Sequence, residues 1–282
     1  MSKKSRFVVS PDWLEQHLDT PGVSIVDASW YLPSQGRNAE AEYNARHIPR
    51  AVFFDHELIC DPESKYPHTL PHPRQFERFA SAMGISADDT IVVYDGPGLM
   101  SAPRAWWMFR VMGARKVFIL DGGFDRWKAE GRPVTDEPTP IAGSAFIAYF
   151  DESQVVFLDE MRKLVENGAQ IADARSHGRF TGEEPEPRPG LRGGHMPGAV
   201  SVPFNTLSEN GELLPVDKLR EKLAAAGLDL SKPTVTSCGS GITAAVIFLA
   251  LESVGAKGTR LYDGSWSEWG AQPDTPVVTG EK

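Results

Sequence analysis

The chain has 282 residues, 41% hydrophobic and 24% charged, with a formal net charge of −9. This is a globular composition, long enough for two domains that each bury a core, and its acidic balance argues against nucleic-acid binding. Two cysteines, Cys60 and Cys238, are too few for a disulfide framework and read as reduced thiols, and no apolar run is long enough to span a bilayer.

Residues 1–6 carry basic side chains with no long apolar stretch behind them. They read as a frayed tail rather than a secretory signal, which makes the cytoplasm the expected compartment. Next come short apolar runs bounded by Asp and Gly, notably Thr90–Tyr94 and Lys116–Leu120. Runs of this kind fit buried parallel strands, and Pro103–Met112 between them reads as a helix. A proline-rich polar stretch from Gly131 to Pro140 punctuates the chain. It places a first domain at 7–135, a linker at 136–149 and a second domain at 150–282.

The second half repeats the first. Ile25-Val26-Asp27-Ala28 returns as Ile171-Ala172-Asp173-Ala174, and His47-Ile48-Pro49 returns as His195-Met196-Pro197. Asp121-Gly122-Gly123-Phe124 matches Asp263-Gly264-Ser265-Trp266, and Asp95-Gly96-Pro97-Gly98 matches Cys238-Gly239-Ser240-Gly241. The order is kept at an offset of roughly 145 residues, so a whole domain is duplicated. The fold class is therefore α/β: two tandem domains, each a parallel sheet flanked by helices. The repeated His47/His195 and Trp127/Trp269 read as structural.

The copies differ at one decisive position, where the first has Asp95 and the second has Cys238. A β-rich run enters the Cys238 loop and an apolar helical run, Ala244–Leu251, leaves it. The thiol is thus expected to face amides that open a helix, where an anion is favoured. The backbone N–H groups of Gly239, Gly241, Ile242 and Thr243 are the candidate cradle for a negatively charged sulfur. Cys60, in a polar loop without such a cradle, reads as an ordinary thiol. No cluster has zinc-ligand spacing, so neither metal nor organic cofactor is expected.

Together, the paired Asp-Ala and His-x-Pro motifs and the strand–cysteine loop–helix pattern resemble the two-domain rhodanese sulfurtransferases from about Phe7 to Val278. The loop Cys238-Gly239-Ser240-Gly241-Ile242-Thr243-Ala244 is similar to that of the branch that uses 3-mercaptopyruvate, as are Gly178-Arg179-Phe180 and Glu184-Pro-Glu-Pro-Arg188. The resemblance implies a catalytic second domain and an inactive first one. It implies sulfur transfer from 3-mercaptopyruvate to a thiol acceptor (thioredoxin among them) or cyanide, through a Cys238 persulfide, with release of pyruvate. It further implies that Arg179 and Arg188 hold the keto acid, and that Ser240, His68 and Asp55 form a serine–histidine–aspartate arrangement. Guanidinium forks suit a planar carboxylate, although Glu183, Glu184 and Glu186 could instead pair with these arginines.

Three alternatives stay open: a thiosulfate sulfurtransferase of the same fold, a non-catalytic sulfur carrier, and an arginine-dependent phosphatase. The phosphatase is disfavoured because the loop reaches Thr243 without an arginine. A monomer is expected, since two domains can enclose a cleft without a second chain.

Overall fold

A computed structural model of the chain describes residues 3–281. The first half folds as β1 (Val8–Val9), α1 (Pro11–His17), β2 (Val23–Asp27), α2 (Ala39–Ala45), β3 (Ala51–Phe53), α3 (Pro73–Ala82), β4 (Thr90–Tyr94), α4 (Ala102–Val111), β5 (Lys116–Leu120) and α5 (Gly123–Ala129). After an irregular connection the second half gives β6 (Val155–Val156), α6 (Leu158–Glu166), β7 (Gln170–Asp173), α7 (His177–Thr181) and β8 (Ala199–Ser201). It continues with β9 (Ser208–Glu209), β10 (Glu212–Leu213), α8 (Val216–Ala225), β11 (Thr234–Ser237), α9 (Ala244–Val254), β12 (Arg260–Tyr262) and α10 (Ser265–Trp269).

Each half builds a parallel five-stranded sheet, in the orders β1-β5-β4-β2-β3 and β6-β12-β11-β7-β8. Strand for strand these orders are the same topology, as a duplicated domain requires. The repeated histidines anchor matching straps: His47 bridges Thr135 and His195 bridges Val278 in antiparallel fashion. Trp127 and Trp269 are fully buried.

The second half adds a hairpin, β9–β10, whose turn residues Asn210 and Gly211 both adopt positive φ (51° and 76°). That is the backbone a tight two-residue hairpin turn demands. It docks on the first domain, with Gly122 N–H donating to Gly211 O at 3.1 Å and Leu213 N–H to the Asp121 carboxylate at 3.0 Å. The tail expected to fray begins in residues outside the described range. From Lys4 onward it is tied down, with Lys4 Nζ 2.8 Å from Asp121 and 2.6 Å from Glu212.

The domains meet through α4 and α9. Helix α9 is apolar and buried on every side from Ala244 to Leu251, with polar residues only in its last turn. Phe248 packs edge-on to Trp106 and Trp107, and all three side chains are buried. Each such side chain contributes about 1.5–3 kcal/mol by leaving water. The interface is therefore continuous core, and it holds the carboxyl ends of the two central strands, β4 and β11, in a fixed relation.

Candidate active site

Cys238 follows β11, the central strand of the second sheet, at its carboxyl end, where open parallel sheets place their ligands. All four residues of β11 are buried, and the chain must turn at once to enter α9. Gly241 makes that turn with φ 82°; a Cβ there would lie 2.9 Å from Asp263 O and 3.0 Å from the Arg104 guanidinium. At Gly239 a Cβ would meet Arg179 Nη2 at 2.9 Å, so glycine lets the guanidinium lie against the loop. The Gly241 N–H points at Cys238 Sγ, 3.2 Å away.

Helix α10 pins the loop from behind. The Cys238 N–H donates to Ser265 Oγ at 3.2 Å, Trp266 N–H donates to Cys238 O at 2.9 Å, and Ser267 Oγ donates to Gly239 O at 2.6 Å. Ser265 sits at φ 48°, a conformation that glycine adopts far more easily; its counterpart in the first domain is Gly123, at φ 59°. The second domain thus holds a serine in a strained conformation and gains a hydroxyl acceptor for the cysteine's N–H.

The sulfur opens onto a cleft of about 250 Å³ between the two halves. Trp30 and Met100 of the first domain face Arg179, Arg188 and the Cys238–Thr243 loop of the second. Arg188 is half-buried and, among the described residues, makes no ion pair. Burial pushes its pKa down, opposed chiefly by Cys238 and then by Glu57. Arg179 is committed: its Nη2 lies 2.6 Å from Glu186 Oε2. The same glutamate takes Arg175 Nη1 at 2.7 Å, and both Arg175 and the Glu186 side chain are buried. Of the acids expected to compete for the arginines, Glu186 takes Arg179, and Arg188 stays available.

Ser240 Oγ lies 2.9 Å from His68 Nδ1, joining the two domains. The carboxylate on the other ring nitrogen is Glu57 (His68 Nε2 to Oε1, 3.0 Å), and the expected Asp55 does not reach His68. Asp55 instead accepts the Glu57 N–H on its own carboxylate at 2.8 Å and the Ile59 N–H on its main-chain oxygen at 2.8 Å. It is the turn-building residue that presents Glu57. Trp30 Nε1 also donates to Glu57 Oε1, at 2.7 Å.

Glu57 is held down at about 2, first by its hydrogen bond from His68. Burial lowers the His68 pKa, so the imidazole is neutral at pH 7. A neutral ring facing a carboxylate carries its proton on Nε2, which leaves Nδ1 to accept the Ser240 O–H. His68 itself has φ 61°. The strain is sustained by Arg104, fully buried on α4, whose Nη2 donates to His68 O at 2.6 Å and to Asp263 Oδ1 at 2.7 Å. The other Asp263 oxygen accepts the Leu70 N–H at 2.8 Å. Cys60 is half-buried, donates its thiol to Glu57 O, and has its pKa pushed up by burial and by neighbouring acids.

The Rhodanese-like domain family matches residues 10–130 and 157–272. The chain belongs to the rhodanese family. It is 45% identical to the 3-mercaptopyruvate sulfurtransferase of Escherichia coli over 271 residues, 95% of this chain and 96% of that one. It is 40% identical to the mitochondrial thiosulfate/3-mercaptopyruvate sulfurtransferase 1 of Arabidopsis thaliana, covering 97% of this chain and 78% of the relative. The crystal structure of SseA from Escherichia coli superposes with a TM-score of 0.86 at 42% identity, over 93% of this chain and 99% of that one. The two sheets are thus a tandem pair of rhodanese domains. One relative's name places it in mitochondria, so kinship does not fix the compartment. No helix among the described residues is long and apolar enough to cross a membrane.

Proposed function

We infer that this rhodanese is a 3-mercaptopyruvate sulfurtransferase. The observation that carries the reading is a lone cysteine, facing a loop amide, at the floor of a cleft whose one unpaired guanidinium is Arg188 among the described residues. Related chains bear the same activity in their names.

The Cys238 thiolate attacks the donor's sulfur. The S–S bond forms as the donor's C–S bond breaks, and its electron pair passes into the enolate of pyruvate. The S–H proton of the donor has to reach carbon C3, which turns the enolate into pyruvate and leaves an anionic persulfide on the enzyme. Ser240, hydrogen-bonded to neutral His68 with Glu57 behind it, is the group suited to take and return that proton. Arg188 pairs with the keto acid's carboxylate, and the Gly239–Thr243 amides stabilise the persulfide charge. Arg179, gripped by Glu186, borders the same space. In the second half-reaction an acceptor thiolate takes the outer sulfur and regenerates the Cys238 thiolate. A small thiol or a thioredoxin-type dithiol suits this step, and a single chain supplies every group named.

Steady-state kinetics with both donors test the substrate assignment. The expected result is a kcat/KM for 3-mercaptopyruvate at least about tenfold above that for thiosulfate, a difference of about 1.4 kcal/mol in transition-state stabilisation. The reverse order would make the thiosulfate-using reading the correct one.

A further inference from the structure

The inactive domain has a cavity of its own, about 280 Å³, beside the Asp95 loop. Asp27, Glu42, Arg46, Gly96 and Phe124 wall it. By the repeat, Asp27 corresponds to Asp173, Arg46 to Gly194, Gly96 to Gly239 and Phe124 to Trp266.

In the second domain the equivalent space is filled from within. The Arg175 guanidinium donates from Nη2 to Asp173 Oδ2 at 2.6 Å, from Nη1 to Glu186 at 2.7 Å and from Nη2 to Gly194 O at 2.8 Å. It also lies 4.2 Å from the Trp266 ring centroid. The residue that corresponds to Arg175 in the first domain is Ser29, whose hydroxyl stops short and accepts the Gly96 N–H at 3.0 Å. The rest of the cradle is kept. Arg37 grips Glu42 (2.8 Å from Nε) as Arg179 grips Glu186, while the place that Arg179 takes beside Gly239 is held beside Gly96 by the Tyr31 hydroxyl, which donates to Glu42 at 3.3 Å.

Asp27 is therefore a buried carboxylate, 3% exposed, with no ion pair among the described residues. It accepts the Ser29 N–H at 2.9 Å, and burial pushes its pKa up to about 6. The other charges on the wall are matched in pairs, Arg37 with Glu42 and Lys128 with Asp125, except for Arg46 at the exposed rim.

We propose that this cavity binds a small guanidinium- or amidinium-bearing molecule, seated where Arg175 sits in the second domain. A planar cation with in-plane N–H donors matches the Asp27 carboxylate and the Arg46 carbonyl, and its face matches the Phe124 ring. A quaternary ammonium has no N–H to offer these acceptors. Glu42, Ala45, Arg46 and Lys128 are exposed, so the site is reachable from solvent.

The test is a titration of the full chain with methylguanidinium, followed by backbone amide NMR, with tetramethylammonium at equal ionic strength as the control. Saturable shifts are expected at Ser29, Gly96 and Asp125 with a Kd on the order of 1 mM, and none with the control. Ser29→Arg supplies the missing side chain and should abolish the response. Asp27→Asn should weaken binding by about tenfold or more. Should that variant not fold, Glu42→Gln at the rim tests the same cradle and should weaken binding several-fold. Retained sulfur transfer in each variant reports an intact fold. The proposal is overturned by no saturable response in the unmodified protein, by an equal response to tetramethylammonium, or by a response that survives both Ser29→Arg and Glu42→Gln.

Discussion

The two domains solve the same loop in opposite ways. In the first, the carboxylate of Asp95 turns back into the loop and accepts four of its N–H groups: Gly98 at 2.5 Å, Met100 at 2.9 Å, and Ser101 and Ala102 at 2.7 Å each. Those donors are spent on a side chain that goes nowhere. In the second, Cys238 is shorter, engages the Gly241 N–H, and faces a cleft. The comparison teaches that one anion cradle serves either as a structural plug or as a reaction centre, according to whether its anion is built in or arrives as sulfur. The first domain does not become idle. Its Trp30 lines the other domain's cleft, its His68 reaches Ser240 with Glu57 behind it, and its Arg104 braces the loop through Gly241 O and Asp263.

The sharpest way to break this comparison is to exchange its two central residues. Cys238→Ser should cut sulfur transfer by at least about 10³-fold with the fold intact, because the nucleophile is gone. Asp95→Cys in that background should not restore it, since the first-domain loop has Pro97 where the second has Ser240 and so lacks the Ser240–His68 pair; activity regained there would mean that the cradle alone suffices.

The next largest effect is expected at the clasp between domains. Arg104→Met leaves Asp263 buried without its cation and releases the His68 carbonyl, which should cost about 3–5 kcal/mol in chemical denaturation. A loss under about 1 kcal/mol would show that the domain contact does not depend on this pair.

Arg188→Ala should raise KM for 3-mercaptopyruvate by roughly 10–100-fold, as expected for a lost charge-assisted hydrogen bond. Its effect on thiosulfate should be smaller. Equal effects on both donors would remove the carboxylate contact from the account.

The smallest effect separates two neighbouring acids. Burial holds the His68 pKa below the ordinary histidine value and Glu57 partly offsets this, so activity should stay flat above neutrality and decline only on the acid side. Glu57→Gln removes the group that favours the protonated ring. It should lower kcat by about tenfold and move the acid limb to lower pH. Asp55→Asn should leave that limb in place. A limb that moves with Asp55 and not with Glu57 would reinstate the acid expected from the sequence.

That exchange shows what a linear reading can reach. The duplication, the parallel sheets and the Cys238 loop were legible because each is written in contiguous residues: Ile25–Ala28 against Ile171–Ala174, glycines around a thiol, apolar runs of strand length. Which acid meets His68 was not, because it depends on how one loop turns. Asp55 bonds its own backbone and swings Glu57 outward, and both acids stand at plausible distances along the chain. Arg104 and Trp30 were hidden for another reason. They belong to the first domain and meet the second only once α4 has packed on α9. Ser265 carried a faint signal, a serine where the other copy has Gly123, whose meaning needed its left-handed backbone to be seen.

Mass spectrometry of the protein after incubation with 3-mercaptopyruvate tests the central claim most directly. One added sulfur atom on the peptide that contains Cys238, removed again by a thiol acceptor, is the predicted result. A protein that gains no sulfur, or gains it on the Cys60 peptide, would contradict the account.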